Sequence, residues 1–117
     1  MRTLTTPEFT QIVDDLYLEA DDDVVGLWEV VKLVGDQVGE GGAIQGACLS
    51  VVQALMNRGL LAGDPPFHGG EWEPWPNQDT QYVSDRIRRE WERLGHTPSI
   101  PDIVWFGRPS LGASTSR

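Results

Sequence analysis

The sequence predicts an α+β domain of four helices and a two- or three-stranded sheet, and three observations carry that expectation. Apolar residues recur at helical spacing in four separate segments. Ile103-Val104-Trp105-Phe106 is a strongly β-prone run bounded by Pro101-Asp102 and Gly107, and Leu60–Ala62 is a short extended piece closed by Gly63. Residues 64–80, DPPFHGGEWEPWPNQDT, hold too many prolines for a helix, so Phe67–Trp75 reads as a distorted hairpin or an ordered loop across the core.

The first helix starts at Thr5 or Thr6, where Thr5 and Glu8 make a capping-box pair and Pro7 suits the first turn. Phe9, Ile12, Val13, Leu16 and Ala20 face the core, leaving Asp14, Asp15 and Glu19 on the other side. Asp23 is the expected N-cap of a second helix over 24–38, whose apolar residues (Leu27, Trp28, Val31, Val34 and Val38 among them) cover most of its circumference and mark it as the central helix. Gly39-Glu40-Gly41-Gly42 breaks the chain. A third helix over 43–58 carries Ile44, Cys48, Val51, Val52 and Leu55 on one stripe and ends at Gly59. The last helix, 78–94, has Val83, Ile87, Trp91 and Leu94 on its core side and Arg86, Arg89 and Arg93 on one flank. Asp85 and Arg89 are spaced for an i, i+4 pair, and Gly95 closes the helix.

A chain of 117 residues is expected to form one domain, here residues 1–109, with 110–117 as a frayed polar tail. One cysteine allows no intramolecular disulfide, and Met1-Arg2-Thr3-Leu4 leads into polar sequence rather than an apolar export signal. A soluble protein of the reducing cytoplasm is therefore expected. No run is long and apolar enough to suggest a membrane span. The net charge of −9 is uneven: residues 1–40 carry two basic and ten acidic groups, a net of −8. Such a field repels phosphate backbones and anionic lipid, so nucleic acid and membranes are disfavoured as partners.

No motif for catalysis, cofactor or metal emerges. Gly41 and Gly46 have phosphate-loop spacing, but Ala47 and Cys48 stand where Lys and Ser/Thr are needed. Asp21-Asp22-Asp23 lacks the alternating ligands, central Gly and distal Glu of a calcium loop. Cys48, His68 and His96 are too few and too scattered for zinc. An enzyme would have to draw on Glu71, Glu73 and Asp79 beside the loop aromatics, where a solvated rim around packed rings is the simpler use.

The stretch SVVQALMNRGLLAGD resembles a winged-helix recognition helix running into its wing, which implies a winged-helix-like middle to the fold. The outward residues of that helix are Gln45, Ser50, Gln53 and Asn57, with Arg58 its one base, whereas DNA readers add several Lys or Arg for phosphates. Protein contact is the better expectation for such a scaffold. The second half, RIRREWERLGHTPSIPDIVWF, is similar in texture to small bacterial proteins of the toxin-immunity type. The leading expectation is a small acidic module that covers a basic surface of another protein through Asp14, Asp15, Glu19, Asp21 and Asp22. Trp72 and Trp75 would serve as aromatic anchors. The alternatives are a transcriptional regulator, with which a homodimer is compatible, and an enzyme with its site in the aromatic loop.

Overall fold

A computed structural model describes residues 4–39, 43–64, 72–98 and 103–109. In order they form α1 (Thr6–Glu19), β1 (Val25–Gly26), α2 (Leu27–Val38), α3 (Ala43–Asn57), β2 (Leu61–Gly63), α4 (Thr80–Leu94) and β3 (Trp105–Gly107). The three strands make one antiparallel sheet in the order β1–β3–β2, so the expected α+β class is the one observed.

Local sequence accounts for the ends of two helices. The Thr5 hydroxyl accepts from the Glu8 N–H at 3.3 Å, and Glu8 Oε1 accepts from the Thr5 N–H at 3.0 Å, the reciprocal capping box. At the far end of the chain Gly95 closes α4 in the left-handed conformation. Ile12, Val13 and Leu16 of α1, and Val83, Ile87 and Trp91 of α4, are buried as their spacing requires.

The start of α2 differs from expectation. Val25 and Gly26 are not helical but pair with Phe106 and Trp105, so the helix begins at Leu27 with Gly26 as an N-cap that offers no side chain. Asp23 instead accepts from the neighbouring Val24 N–H at 2.7 Å and shapes the turn. A partner strand some eighty residues away decides this, and it outweighs the local helical pattern. The central helix is also α3 rather than α2: α3 packs against α1, α2 and α4, and Cys48, Val51, Val52 and Leu55 on it are fully buried. Burial pushes the Cys48 thiol up to about 12, so it stays protonated in the core. Strand β3 starts later than the β-prone run because Ile103 turns the chain with a φ of 62°.

The described part of the Pro-rich segment lies along β2. Trp75 N donates to the Ala62 carbonyl at 2.8 Å, Asp64 N to the Glu73 carbonyl at 3.2 Å, and Pro74 bridges Gly63. Gln78, expected as the first residue of α4, lies before it. Its amide accepts from Ala62 N–H and donates to the Ala62 and Trp75 carbonyls, while Asp79 caps the helix by accepting from Tyr82 N–H. The outer edge of β2 is thereby closed. Phe67 and the rest of 65–71, and the tail 110–117, fall outside the described residues. On α4, Asp85 pairs with Arg88 at i+3 rather than with Arg89, and Arg86 pairs with Glu90.

Candidate functional site

Trp72 and Trp75 are not available as partner anchors. They are 5% and 4% exposed. Trp72 Nε1 donates to the Trp105 carbonyl at 3.0 Å, and a Cβ at Gly63 would meet that nitrogen at 2.6 Å, so the ring lies flat on the sheet where only glycine permits it. Trp75 Nε1 donates to Asp64 at 2.8 Å, with the Arg86 guanidinium 3.7 Å from its ring centroid. A proline-broken segment that runs beside β2 must turn its rings inward. Of the carboxyls beside them, Glu73 is exposed, Asp79 caps α4, and Glu71 falls outside the described residues.

The acidic set divides in two. Asp14 is held 2.6 Å from Arg58, whose guanidinium lies 5.5 Å from the Tyr17 ring centroid. Asp21 lies 3.4 Å from Arg108, which stacks on the same ring at 4.2 Å and donates to the Tyr17 hydroxyl and carbonyl. These two carboxylates pair with arginines from later in the chain and tie α1 and the turn after it to the segments that follow α3 and β3. Asp22 is exposed in the turn, its N–H on the Glu19 carbonyl.

Asp15 and Glu19 do something different: with Leu18 of α1 and Trp28, Glu29, Lys32 and Leu33 of α2 they line a groove of about 530 Å³. Helical periodicity puts the α2 members on the face away from its buried stripe of Leu27, Val30, Val31 and Val34. Leu18 is 67% exposed, so an apolar side chain stands in the open among carboxyls. The Glu29 carboxyl is raised to about 7, chiefly by burial and then by its hydrogen bond to, and the charge of, Glu19; the Gly26 N–H and Lys32 pull the other way. Asp15 accepts from Gln11 at 2.8 Å. The Trp28 Nε1–H is buried and meets no acceptor among the described residues.

Gly26 sets the position of that indole. A Cβ there would meet Trp28 Cδ1 at 2.6 Å and Trp105 Cε2 at 2.7 Å. Gly26→Ala is therefore expected to push the Trp28 ring out into the groove, read as a red shift of tryptophan emission relative to wild type. An unchanged spectrum, with Trp28 identified by a Trp28→Phe control, would show that the ring does not depend on this glycine.

Sequence reading does not single out Leu18, Glu29 or Leu33, and it buries Trp28, which is only partly buried. A signal for Leu18 exists: it lies opposite the Ile12, Val13 and Leu16 stripe, an isolated leucine on a polar face. A wider concavity of about 760 Å³ lies between α2, the start of α3 and the end of α4, with Val31, Ile44, Trp91 and His96 in its lining. Charges of both signs, from Lys32, Asp36 and Glu92, surround it. Among the described residues, no group of three or more His, Cys, Asp or Glu could hold a metal ion, and no helix is long and apolar enough to cross a membrane. Compared with family models, with curated proteins and with solved structures, the chain matches none.

Proposed function

We propose that the chain is a small protein-binding module of the immunity or inhibitor type, which covers a basic surface of another protein with the groove between α1 and α2. The observation that carries this reading is Leu18, 67% exposed in the same groove as the carboxyl-bearing Asp15, Glu19 and Glu29. An apolar centre with a charged rim is the general anatomy of a protein interface. Three carboxyls against one Lys32 favour a partner that presents an Arg or Lys beside an apolar side chain. The carboxylates that Arg58 and Arg108 neutralise take no part.

The test uses the partner isolated from the source cells and the purified full chain. Association is expected to weaken steeply as salt rises, and Leu18→Ser and Glu19→Lys are each expected to weaken it at unchanged melting temperature. Salt-independent association, or full binding by Leu18→Ser, would remove the reading.

The run of α2, α3 and β2, with β2 turned back onto the sheet, supports the second reading, a winged-helix regulator. Against it, α4 packs on α3, with Gln53 Nε2 donating to Ser84 at 3.2 Å, and Arg58 is engaged by Asp14 and Tyr17. No binding to bulk DNA at low salt is expected; clear binding that fades with salt would reverse the ranking.

A further inference from the structure

The last turn of α1 is closed from outside the helix. Among its final carbonyls, Leu16 accepts from the Ala20 N–H, Leu18 from the Asp21 N–H, and Glu19 from the Asp22 and Asp23 N–H groups. The Asp21 N–H thus misses the Tyr17 carbonyl, its regular helical acceptor. That carbonyl accepts from Arg108 Nη2 at 3.1 Å instead, while Nη1 donates to the Tyr17 hydroxyl at 3.0 Å. The guanidinium also stacks on the Tyr17 ring at 4.2 Å and lies 3.4 Å from Asp21. The last turn of α1 has no basic residue of its own, so Arg108 brings the cation that the negative end of the helix dipole favours.

Arg108 directly follows β3, and β3 also fixes the other wall of the groove. Val25 and Gly26 pair with Phe106 and Trp105, and the Leu27 N–H that opens α2 donates to the Val104 carbonyl at 3.0 Å. A Cβ at Gly107 would meet Val24 Cγ1 at 2.8 Å, so the strand lies close against the segment that joins the two walls. We propose that Arg108 is the positioning residue of the groove. It holds the end of α1, with Leu18 and Glu19, in a set place relative to Trp28 and Leu33 of α2, the helix that β3 anchors at its start. The inference rests on the groove being the docking face, and it adds what keeps that face in its binding shape. With Arg108 unseated, the last turn of α1 frays and the competent groove becomes a fraction of the population, so affinity falls by that fraction. Lysine is no substitute, because it lacks the planar fork that serves hydroxyl and carbonyl while stacking on the ring.

The experiment compares Arg108→Gln and Arg108→Lys with Arg58→Gln in the full chain. Arg58 faces the same ring at 5.5 Å and pairs with Asp14, but among the described residues it donates to no α1 carbonyl, so it controls for the loss of an arginine at Tyr17. Both Arg108 variants are expected to speed amide exchange at Ala20 and Asp21 about tenfold, with Val30 and Val31 of α2 as protected as in wild type. They are also expected to shift the Leu18 methyl resonances, which Arg58→Gln leaves in place. Association with the isolated partner, measured well below the melting temperatures, is expected to weaken about tenfold in the Arg108 variants and to hold in Arg58→Gln. A residue that only adds stability would leave that association unchanged. Should Arg108→Gln fail to fold, Arg108→Lys carries the test. Wild-type exchange and Leu18 resonances in the Arg108 variants, full function in Arg108→Lys, or equal changes in Arg58→Gln would each overturn the proposal. Should that happen while Leu18→Ser still weakens the partner, the docking face stands without Arg108; should Leu18→Ser bind the partner fully, the docking face itself has failed.

Discussion

Trp72→Ala is expected to lower stability by about 3–5 kcal/mol, the range for removing a large buried aromatic side chain, out of the roughly 5–15 kcal/mol that holds a domain folded. The ring is 5% exposed, lies flat over the backbone of Gly63, and donates its indole N–H to the Trp105 carbonyl. Truncation opens a cavity against the sheet and removes the donor from a carbonyl in β3. Trp72→Phe keeps most of the volume and loses the hydrogen bond, so a smaller loss of about 1 kcal/mol is expected from it. Trp91→Ala, 8% exposed in the core beside Val83 and Ile87, belongs with the larger class. Urea unfolding of the three variants checks this. A Trp72→Ala protein as stable as wild type would put that ring at the surface and return it to the set of partner contacts.

Glu29→Gln is expected to stabilise the protein in basic solution and to leave it unchanged in acid. Burial and Glu19 raise the Glu29 carboxyl from its ordinary 4.5 to about 7, so the folded chain holds more protons than the unfolded one between those values. Wild-type stability therefore falls as pH rises through that window, and above it the folded state carries the full penalty of an ionised, partly buried carboxylate beside Glu19. Gln has no proton to lose and escapes the penalty. Water on the open side of the groove screens the effect, which leaves about 1–2 kcal/mol, or roughly 4–8 °C in melting temperature. Melting curves of both proteins near pH 5 and near pH 8 measure it. A constant difference between them across that span would mean that Glu29 is ionised throughout.

Features set by neighbouring residues were legible in the sequence. The Thr5–Glu8 capping box, the Gly95 terminus and the buried stripes of α1 and α4 depend on contacts within a turn or two, and they stand where spacing puts them. Features set by distant residues were not. Nothing near Val25 announces that Phe106 will pair with it, and nothing in the Pro-rich segment announces that it will lie along β2 and turn Trp72 and Trp75 inward. Charge counted by segment overstates the free acidity of residues 1–40 for the same reason, since Arg58 and Arg108 fold back onto Asp14 and Asp21. The groove belongs to both kinds. Asp15, Glu19 and the misplaced Leu18 are local signals, whereas the meeting of Glu19 with Glu29 requires the crossing of two helices.

The central claim is that the partner docks on the groove between α1 and α2, and mapping the footprint of the complex tests it most directly. Amide and side-chain chemical shifts of the labelled chain, with and without its isolated partner, are expected to change at Leu18, Glu19, Trp28, Glu29 and Leu33. Asp14 and Asp21, held by their arginines, and Trp72 and Trp75, inside the fold, are expected to stay still. A footprint centred instead on Val31, Ile44, Trp91 and His96 would contradict the claim and move the binding site to the concavity between α2, α3 and α4.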